Sequence, residues 1–365
     1  MSEQNNAAAQ DRPELRKAMQ EIVDAGFAGV QLRVNDELGE WVGSAGVSQL
    51  GRTAKPPTDG HFRVGSVTKT FVATVVLQLV AEGRLGLEDL VADHLPEFRL
   101  DRRITVRMLL QHTSGLFNFT GEFSKDGSVE PGVVAGWGKE WVVDLQHATY
   151  RPEELVRGAL AKSARFEPGT AWSYSNTNYV LVRLLIEQVT GRSLPEETHR
   201  LILGPLGLTG TLLPETREDI PEPHAHGYFG YDDAGQWKVV DTTRFNPSWV
   251  SAAGDMISTS RDLHTFFSAL NSGNLISTEL LAEMRVADPT VGYGLGVFVE
   301  ELDGGGTVLH HNGGFWGWGA MMYSTPDGAK TLTGSLTSGD VEMDLPTMAG
   351  TFEKVKQTLV KAVFA

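Results

Sequence analysis

An α+β fold is predicted for this chain: an antiparallel sheet flanked by N- and C-terminal helices, with a mostly helical inserted domain. Three observations predict it. Alternating, turn-punctuated strand patterns occur near both ends of the chain. Helical spacing of apolar residues dominates the middle. An amphipathic helix lies at each terminus. Strands from both ends are most economically joined in one sheet, which leaves the central residues as an insertion.

The elements follow in order. Residues 1–10 are polar and read as a disordered tail. Pro13 to Ala25 places Leu15, Met19, Ile22 and Val23 on one helical face, and Gly26 stops it. Gly29 to Val34 and Trp41 to Val47 read as a β-hairpin turning around Asn35 to Gly39. Thr70 to Val80 is a helix with no breaker, carrying Phe71, Val72, Val75, Val76, Leu79 and Val80. Asp89 to Leu95 and Ile104 to His112 are shorter segments, the second closed by Ser114-Gly115. Residues 117–148 hold many glycines and aromatics (Phe117, Phe119, Phe123, Trp137, Trp141), so they read as an excursion near the site. Pro152 to Lys162 and Thr177 to Thr190 are helices, with Gly191 capping the second. Leu203 to Leu213 reads as a turn-rich connector and 214–246 as irregular chain; Asp262 to Leu270 is helical. Gly292 to Glu300, Gly306 to His310, Gly319 to Ser324 and Lys330 to Ser335 read as successive strands, and Pro346 to Phe364 as the closing helix. The expected domains are 11–62 plus 257–365 for the sheet and 63–256 for the helical part, with the site at their interface.

The 365 residues are 41% hydrophobic and 21% charged, an ordinary globular balance. The net charge of −15 argues against nucleic acid or an anionic membrane as partner. With no cysteine there is no disulfide, thiolate nucleophile or thiolate metal site. His310-His311 are adjacent and point to opposite faces of a strand, and His224-Ala225-His226 lacks a third ligand, so neither a metal nor a cofactor is expected. The polar N-terminus has no basic n-region or apolar h-region, and no apolar run reaches membrane-spanning length. A cytoplasmic location is the corresponding expectation.

Chemistry concentrates in three motifs. Ser66-Val67-Thr68-Lys69 sits where Phe62-Arg63-Val64-Gly65 meets the apolar helix, which puts Ser66 at a helix start and Lys69 one turn along the same face. There the helix dipole favours developing negative charge and the amine can take the serine proton. The plainer alternative is an N-cap serine with a surface lysine. Tyr174-Ser175-Asn176 follows the Glu167-Pro168-Gly169 turn and presents a phenol beside a carboxamide, able to relay a proton and to hold an amide. Its plainer alternative is a core tyrosine and an N-cap asparagine. His311-Asn312-Gly313-Gly314 ends a strand and precedes Phe315-Trp316-Gly317-Trp318; its glycines let a substrate lie against the backbone, where one N–H can join the serine N–H in an oxyanion hole.

In this order and at these separations the motifs resemble the penicillin-recognising serine hydrolases, namely the D-alanyl-D-alanine carboxypeptidases of the Streptomyces type and the class C β-lactamases. Further similar stretches are Leu110 to Leu116, Tyr174 to Asn178 and Ser251-Ala252-Ala253-Gly254, so the resemblance covers nearly the whole chain from about Gly29. The carboxypeptidase is the nearer in its third motif, which also begins with His. The resemblance implies a β-lactamase/transpeptidase-like fold. It makes Ser66 the acylated nucleophile, Lys69 its general base and Tyr174 the proton shuttle. Asn176 would hold the acyl amide, and His311 would lie behind Tyr174 and tune it. The Ser66 and Gly314 N–H groups would form the oxyanion hole, and Trp249, Asn312, Gly313, Phe315 and Trp316 would line the substrate site.

Departures from the pattern bear on substrate. The carboxypeptidase-like enzymes grip a C-terminal carboxylate with an arginine on the strand before the third motif, whereas Tyr293 to Glu301 carries no cation and ends in two acids. A carboxylate buried without a cation or donors costs several kcal/mol. The expected activity is therefore cleavage of an amide or ester through a Ser66 acyl-enzyme, with water or an amine as acceptor. The alternative is a cytoplasmic transacylase, esterase or D-amino-acid amidase on the same scaffold.

Overall fold

The computed structural model describes residues 11–123, 129–133, 139, 142–143, 145–342 and 345–364. The expected tail over 1–10, and Trp137 and Trp141, lie outside the described residues.

The chain opens with α1 (Pro13–Asp24), started by a proline in its first turn and burying Leu15, Ala18, Met19 and Ile22. The hairpin β1 (Phe27–Asp36) and β2 (Gly39–Gly46) follows. After β3 (His61–Arg63), a single 3-10 turn over Gly65–Val67 leads into α2 (Thr68–Ala81). Eleven residues of α2 are buried, as its nearly unbroken apolar sequence demands. Short helices α3 (Val91–His94) and α4 (Val106–Gln111) come next, then the small ladder β4 (Gly121–Phe123) and β5 (Val129–Pro131). The helices α6 (Asn176–Thr190) and α7 (Leu194–Thr198) and a π-helical turn at His199–Leu203 pack against α2, with α5 (Pro152–Leu160) on α6 and α8 (Gly204–Leu206) on the π-helical turn. Gly191 ends α6 in the left-handed conformation, as expected.

The hairpin β6 (Tyr228–Asp233) and β7 (Gln236–Asp241) lies within residues expected to be irregular. Ala234 and Gly235 both take positive φ at its turn, and Trp237 covers Gly230, where a Cβ would meet the indole at 2.0 Å. Then come β8 (Ile257–Thr259), α9 (Ser260–Asn271), α10 (Thr278–Met284), β9 (Phe298–Glu301), β10 (Thr307–Phe315), β11 (Trp318–Ser324), β12 (Thr331–Ser338) and α11 (Leu345–Phe364). The strand expected from Gly292 begins only at Phe298. Gly292 and Gly296 adopt positive φ, and Gly296 presses on α2, its carbonyl accepting from Thr70 Oγ1 at 2.7 Å. β10 runs past its expected end at His310, straight through the third motif.

The main sheet has the order β2-β1-β12-β11-β10-β9, with every pair antiparallel. Period-two alternation divides its residues between two cores. Val30, Leu32, Val34, Met321, Tyr323, Leu332 and Leu336 pack with α1 and α11. Leu309, Ala320 and Met322 join α2, α6 and α9 in the larger cluster. Phe71 of α2 stacks on Phe266 of α9 within that core. The β3–β8 ladder pairs Arg63 with Ile257, bringing together the two points where the chain enters and leaves its central segment.

Candidate active site

Ser66 lies in the turn entering α2, and the backbone around it is clamped against β10. Gly65 has φ +52, and a Cβ there would meet backbone atoms of Gly314 at 2.5–2.8 Å. A Cβ on Gly313 would lie 1.9 Å from the Val64 carbonyl oxygen and 2.8 Å from the Ser66 nitrogen. Both positions need glycine because two backbones touch. On Gly314 an added Cβ would meet nothing within 4 Å, so that residue borders open space beside Ser66.

Lys69, one turn along α2, is fully buried. Its Nζ lies 3.1 Å from Ser66 Oγ, 2.7 Å from Asn176 Oδ1 and 2.6 Å from the Ala253 carbonyl oxygen. The Asn176 amide is oriented by Thr120 Oγ1, which takes its Nδ2 hydrogen at 2.9 Å, while Asn118 Oδ1 accepts the Asn176 backbone N–H. The aromatic-rich segment after His112 thus does reach the site. Burial holds the Lys69 ammonium well below the ordinary lysine range, with the Asp255 charge acting the other way. A neutral amine has two hydrogens, and the amide and carbonyl oxygens can only accept. Its lone pair is then left for the Ser66 hydroxyl.

Tyr174 Oη donates to Ser66 Oγ at 2.7 Å. Burial pushes the phenol up, so it stays protonated and remains a donor. The chain Tyr174 O–H to Ser66 O–H to Lys69 Nζ is a proton path with the serine at its centre.

The ring beside Tyr174 is His112, with centroids 4.4 Å apart; Tyr293 lies 4.9 Å from the same imidazole. His112 has φ +63 at the end of α4, and its Nδ1 accepts from Ser175 N at 3.2 Å and Asn178 Nδ2 at 3.1 Å. Burial, then Lys69, holds it well below the usual histidine range. The hydrogen bonds of His311 go to neighbours other than the Tyr174 phenol. Its Nδ1 donates to the Asn312 carbonyl at 2.7 Å and its Nε2 accepts from Tyr293 Oη at 3.1 Å. Burial lowers it to about 3, so it is neutral. His311 therefore reaches Tyr174 through Tyr293, whose ring is 6.4 Å away. His112 and Tyr293 escaped the sequence reading as site residues, although His112 falls in one of its family-like stretches.

Trp249, Phe315 and Trp316 form one aromatic cluster: Trp249 is 5.7 Å from each of the other two rings, and Phe229 packs edge-on to Trp316. With Asn312, Gly313, Gly314, Trp318 and Phe352 they line a cavity of about 390 Å³ that reaches the strand beside Ser66. Asn312 Nδ2 donates to Tyr323 Oη at 2.8 Å, while its Oδ1 has no partner. β9 offers no cation; Glu300 pairs with His310 at 3.1 Å. Among the described residues no cluster of three metal-ligating side chains occurs, and no helix is long and apolar enough to cross a membrane.

A serine held between a buried amine and a phenol, beside a glycine strand edge, is an arrangement chemically able to carry out acyl transfer. The family model described as Beta-lactamase matches residues 15–349, and the chain belongs to that family. The structure is similar to a D-stereospecific amidohydrolase from Streptomyces sp., with 36% identity, a TM-score of 0.83, and coverage of 97% of this chain and 99% of that one. It is also similar to the D-amino acid amidase of Ochrobactrum anthropi SV3, with 25% identity, a TM-score of 0.80, and coverage of 96% and 98%. Penicillin-binding protein 4* of Bacillus subtilis (strain 168) is 29% identical over 302 residues, which take in 79% of this chain and 63% of that protein. The chain thus spans less than two thirds of that relative's length.

Proposed function

We propose that the protein is a serine amide hydrolase acting on small amides of D-amino acids through a Ser66 acyl-enzyme. The observation that carries it is Ser66 Oγ between Lys69 Nζ at 3.1 Å and Tyr174 Oη at 2.7 Å. Lys69 takes the Ser66 proton as Oγ attacks the carbonyl carbon. The Ser66 and Gly314 N–H groups receive the oxyanion. The proton passes through Tyr174 to the leaving nitrogen, the C–N bond breaks, and a water activated by the same groups releases the acid. Asn176 fixes the Lys69 amine through its Oδ1; in a longer, peptide-like substrate it would also hold the acyl amide. His311 steadies Tyr293, and through it Tyr174. The aromatic cavity takes the apolar side chain of the acyl group, with Trp249, Asn312, Gly313, Phe315 and Trp316 as its walls. In this reading residues 11–62 plus 257–365 and residues 63–256 form two lobes that meet at the site.

The amide reading is preferred to a carboxypeptidase because β9 supplies no cation for a substrate carboxylate. The similarity to a D-stereospecific amidohydrolase and to a D-amino acid amidase agrees with it. A second reading, acyl transfer to an amine in place of water, draws on the apolar cavity, which would hold an organic acceptor near the acyl-enzyme.

The test uses D- and L-phenylalanine amide, with intact-mass detection of the acyl-enzyme. Wild type is expected to cleave the D-amide, and Ser66→Ala to show no adduct and no turnover while remaining folded. Unchanged turnover in Ser66→Ala would sink the assignment. Preference for the L-amide would remove the stereochemical part of it.

A further inference from the structure

Among the described residues, the Lys69 ammonium formed during acylation has no anion in hydrogen-bonding contact. Its fixed partners are Ser66, Asn176 and the Ala253 carbonyl. Tyr174 stays a neutral phenol, and His112 and His311 are neutral. Two residues beyond Ala253 stands Asp255, 1% exposed, with both carboxyl oxygens buried and without a hydrogen-bond partner among the described residues. Nor does any ion pair within 4.0 Å involve it among the described residues.

Asp255 is nonetheless fixed. Its N–H donates to Ser251 at 3.0 Å, and the following Met256 donates its N–H to Thr68 Oγ1 on α2 at 3.2 Å. Val64 of the nucleophile turn donates to the Met256 carbonyl. The charged groups that face it come from every neighbouring element: Lys69 from α2, Arg183 with Glu187 from α6, Glu215 from the loop after α8, and Arg63 from β3. Arg183 is already engaged by Glu187 at 2.9 Å and Glu215 at 3.2 Å. Arg63 is held by the carbonyls of Glu218 and Phe245. Of the cations, Arg183 acts on the Asp255 carboxyl more strongly than Lys69 does; for Lys69, Asp255 is the one acid that acts on it.

An unpartnered buried carboxyl is costly, and Leu would fill a similar space without that cost. What Asp255 adds is charge. We propose that Asp255 is a positioning residue for Lys69, its carboxylate serving as the counter-charge for the ammonium formed when Lys69 takes the Ser66 proton. The proposal rests on Lys69 being the base. One proton moves from Ser66 Oγ to Lys69 Nζ as the Oγ–C bond forms. Asp255 takes part in no bond change; it acts in its ionised form, above the pH of about 7 to which burial raises it, and there its field makes the transfer cheaper.

The test is the pH profile of kcat/KM for D-phenylalanine amide in wild type, Asp255→Asn, Asp255→Glu and Lys69→Ala. Acylation needs a neutral Lys69, so the acid limb reports its loss of a proton. Without the anion the ammonium is disfavoured. Asp255→Asn should shift the acid limb down by about one pH unit or more and lower the plateau about 10- to 100-fold. Asp255→Glu should restore the position of the limb. An unshifted limb in Asp255→Asn, whatever its rate, overturns the inference, since a packing defect lowers rates without moving it. Should the Asn variant not fold, Asp255→Ser carries the same comparison. The two readings fail separately. A near-wild-type rate in Lys69→Ala removes the base itself; an inactive Lys69→Ala with an unmoved Asp255→Asn limb removes only the role of Asp255.

Discussion

Tyr174 shows how burial assigns a role to a single side chain. Its Oη is 2.7 Å from Ser66 Oγ, and desolvation keeps its proton in place. A phenol that does not ionise at neutral pH serves as a donor to a departing group before it serves as a base. Amide leaving groups need that proton; good ester leaving groups do not. Tyr174→Phe is therefore expected to lose about 10²- to 10³-fold in kcat/KM on D-phenylalanine amide and distinctly less on a p-nitrophenyl ester. Equal losses on both substrates would move the donor role to another group. Ser66, Lys69, Tyr174 and Asn176 could be singled out from sequence because each belongs to a short motif fixed to a helix start. His112, Tyr293 and Asp255 could not, because their importance comes from what packs around them. Nothing local in the sequence marks a histidine as the ring against Tyr174 or an aspartate as an orphaned buried acid.

At the scale of elements, the site is a contact between the turn entering α2 and the strand β10. Gly313 is the closest point, with the Val64 carbonyl 1.9 Å from where a Cβ would stand. Gly313→Ala must push β10 away from the serine turn and carry the Gly314 N–H with it. Acylation is expected to fall about 10²- to 10³-fold, the scale of a lost oxyanion donor, while the protein remains folded. Wild-type acylation in this variant would mean that the strand can give way without cost. This contact also explains why β10 outran its expected end. Paired glycines after His311 read as a strand terminus, yet here they are strand residues kept bare for a neighbouring backbone. The reverse error occurred at 292–297, where glycines fold the chain onto α2 and delay the strand to Phe298. Glycine marks a close approach in both places, and sequence alone does not say which backbone approaches. The β6–β7 hairpin was missed for a different reason: its strands are short and half-exposed, so its apolar alternation is weak.

Across the whole molecule, the fold class was legible because it depends on long periodic patterns. Terminal helices with one apolar face and alternating strands admit few arrangements, and the observed sheet places α1 and α11 on one face and the site-bearing helices on the other. The larger core also holds ionisable groups whose charged forms burial opposes, so stability and site electrostatics are linked. His112 and His311 are lowered, His311 to about 3; they contribute stability above the ordinary histidine range that fades as pH falls. Asp255 has the opposite sign. Burial raises it from 3.8 to about 7, so the folded chain binds a proton that the unfolded chain has released. Its contribution is present below about 3.8 and is lost as pH rises through about 7. Asp255→Asn abolishes that loss. Relative to wild type, the variant should show no gain at pH 4 beyond any constant packing difference, and a growing margin on the order of 2–4 kcal/mol by pH 8. Urea unfolding at pH 4, 6 and 8 measures it, with Asp255→Glu as the variant that keeps the slope. A margin independent of pH would show that the carboxyl is ionised freely in the folded protein. A margin that grows while acylation declines would identify Asp255 as a charge the fold retains at the expense of its own stability.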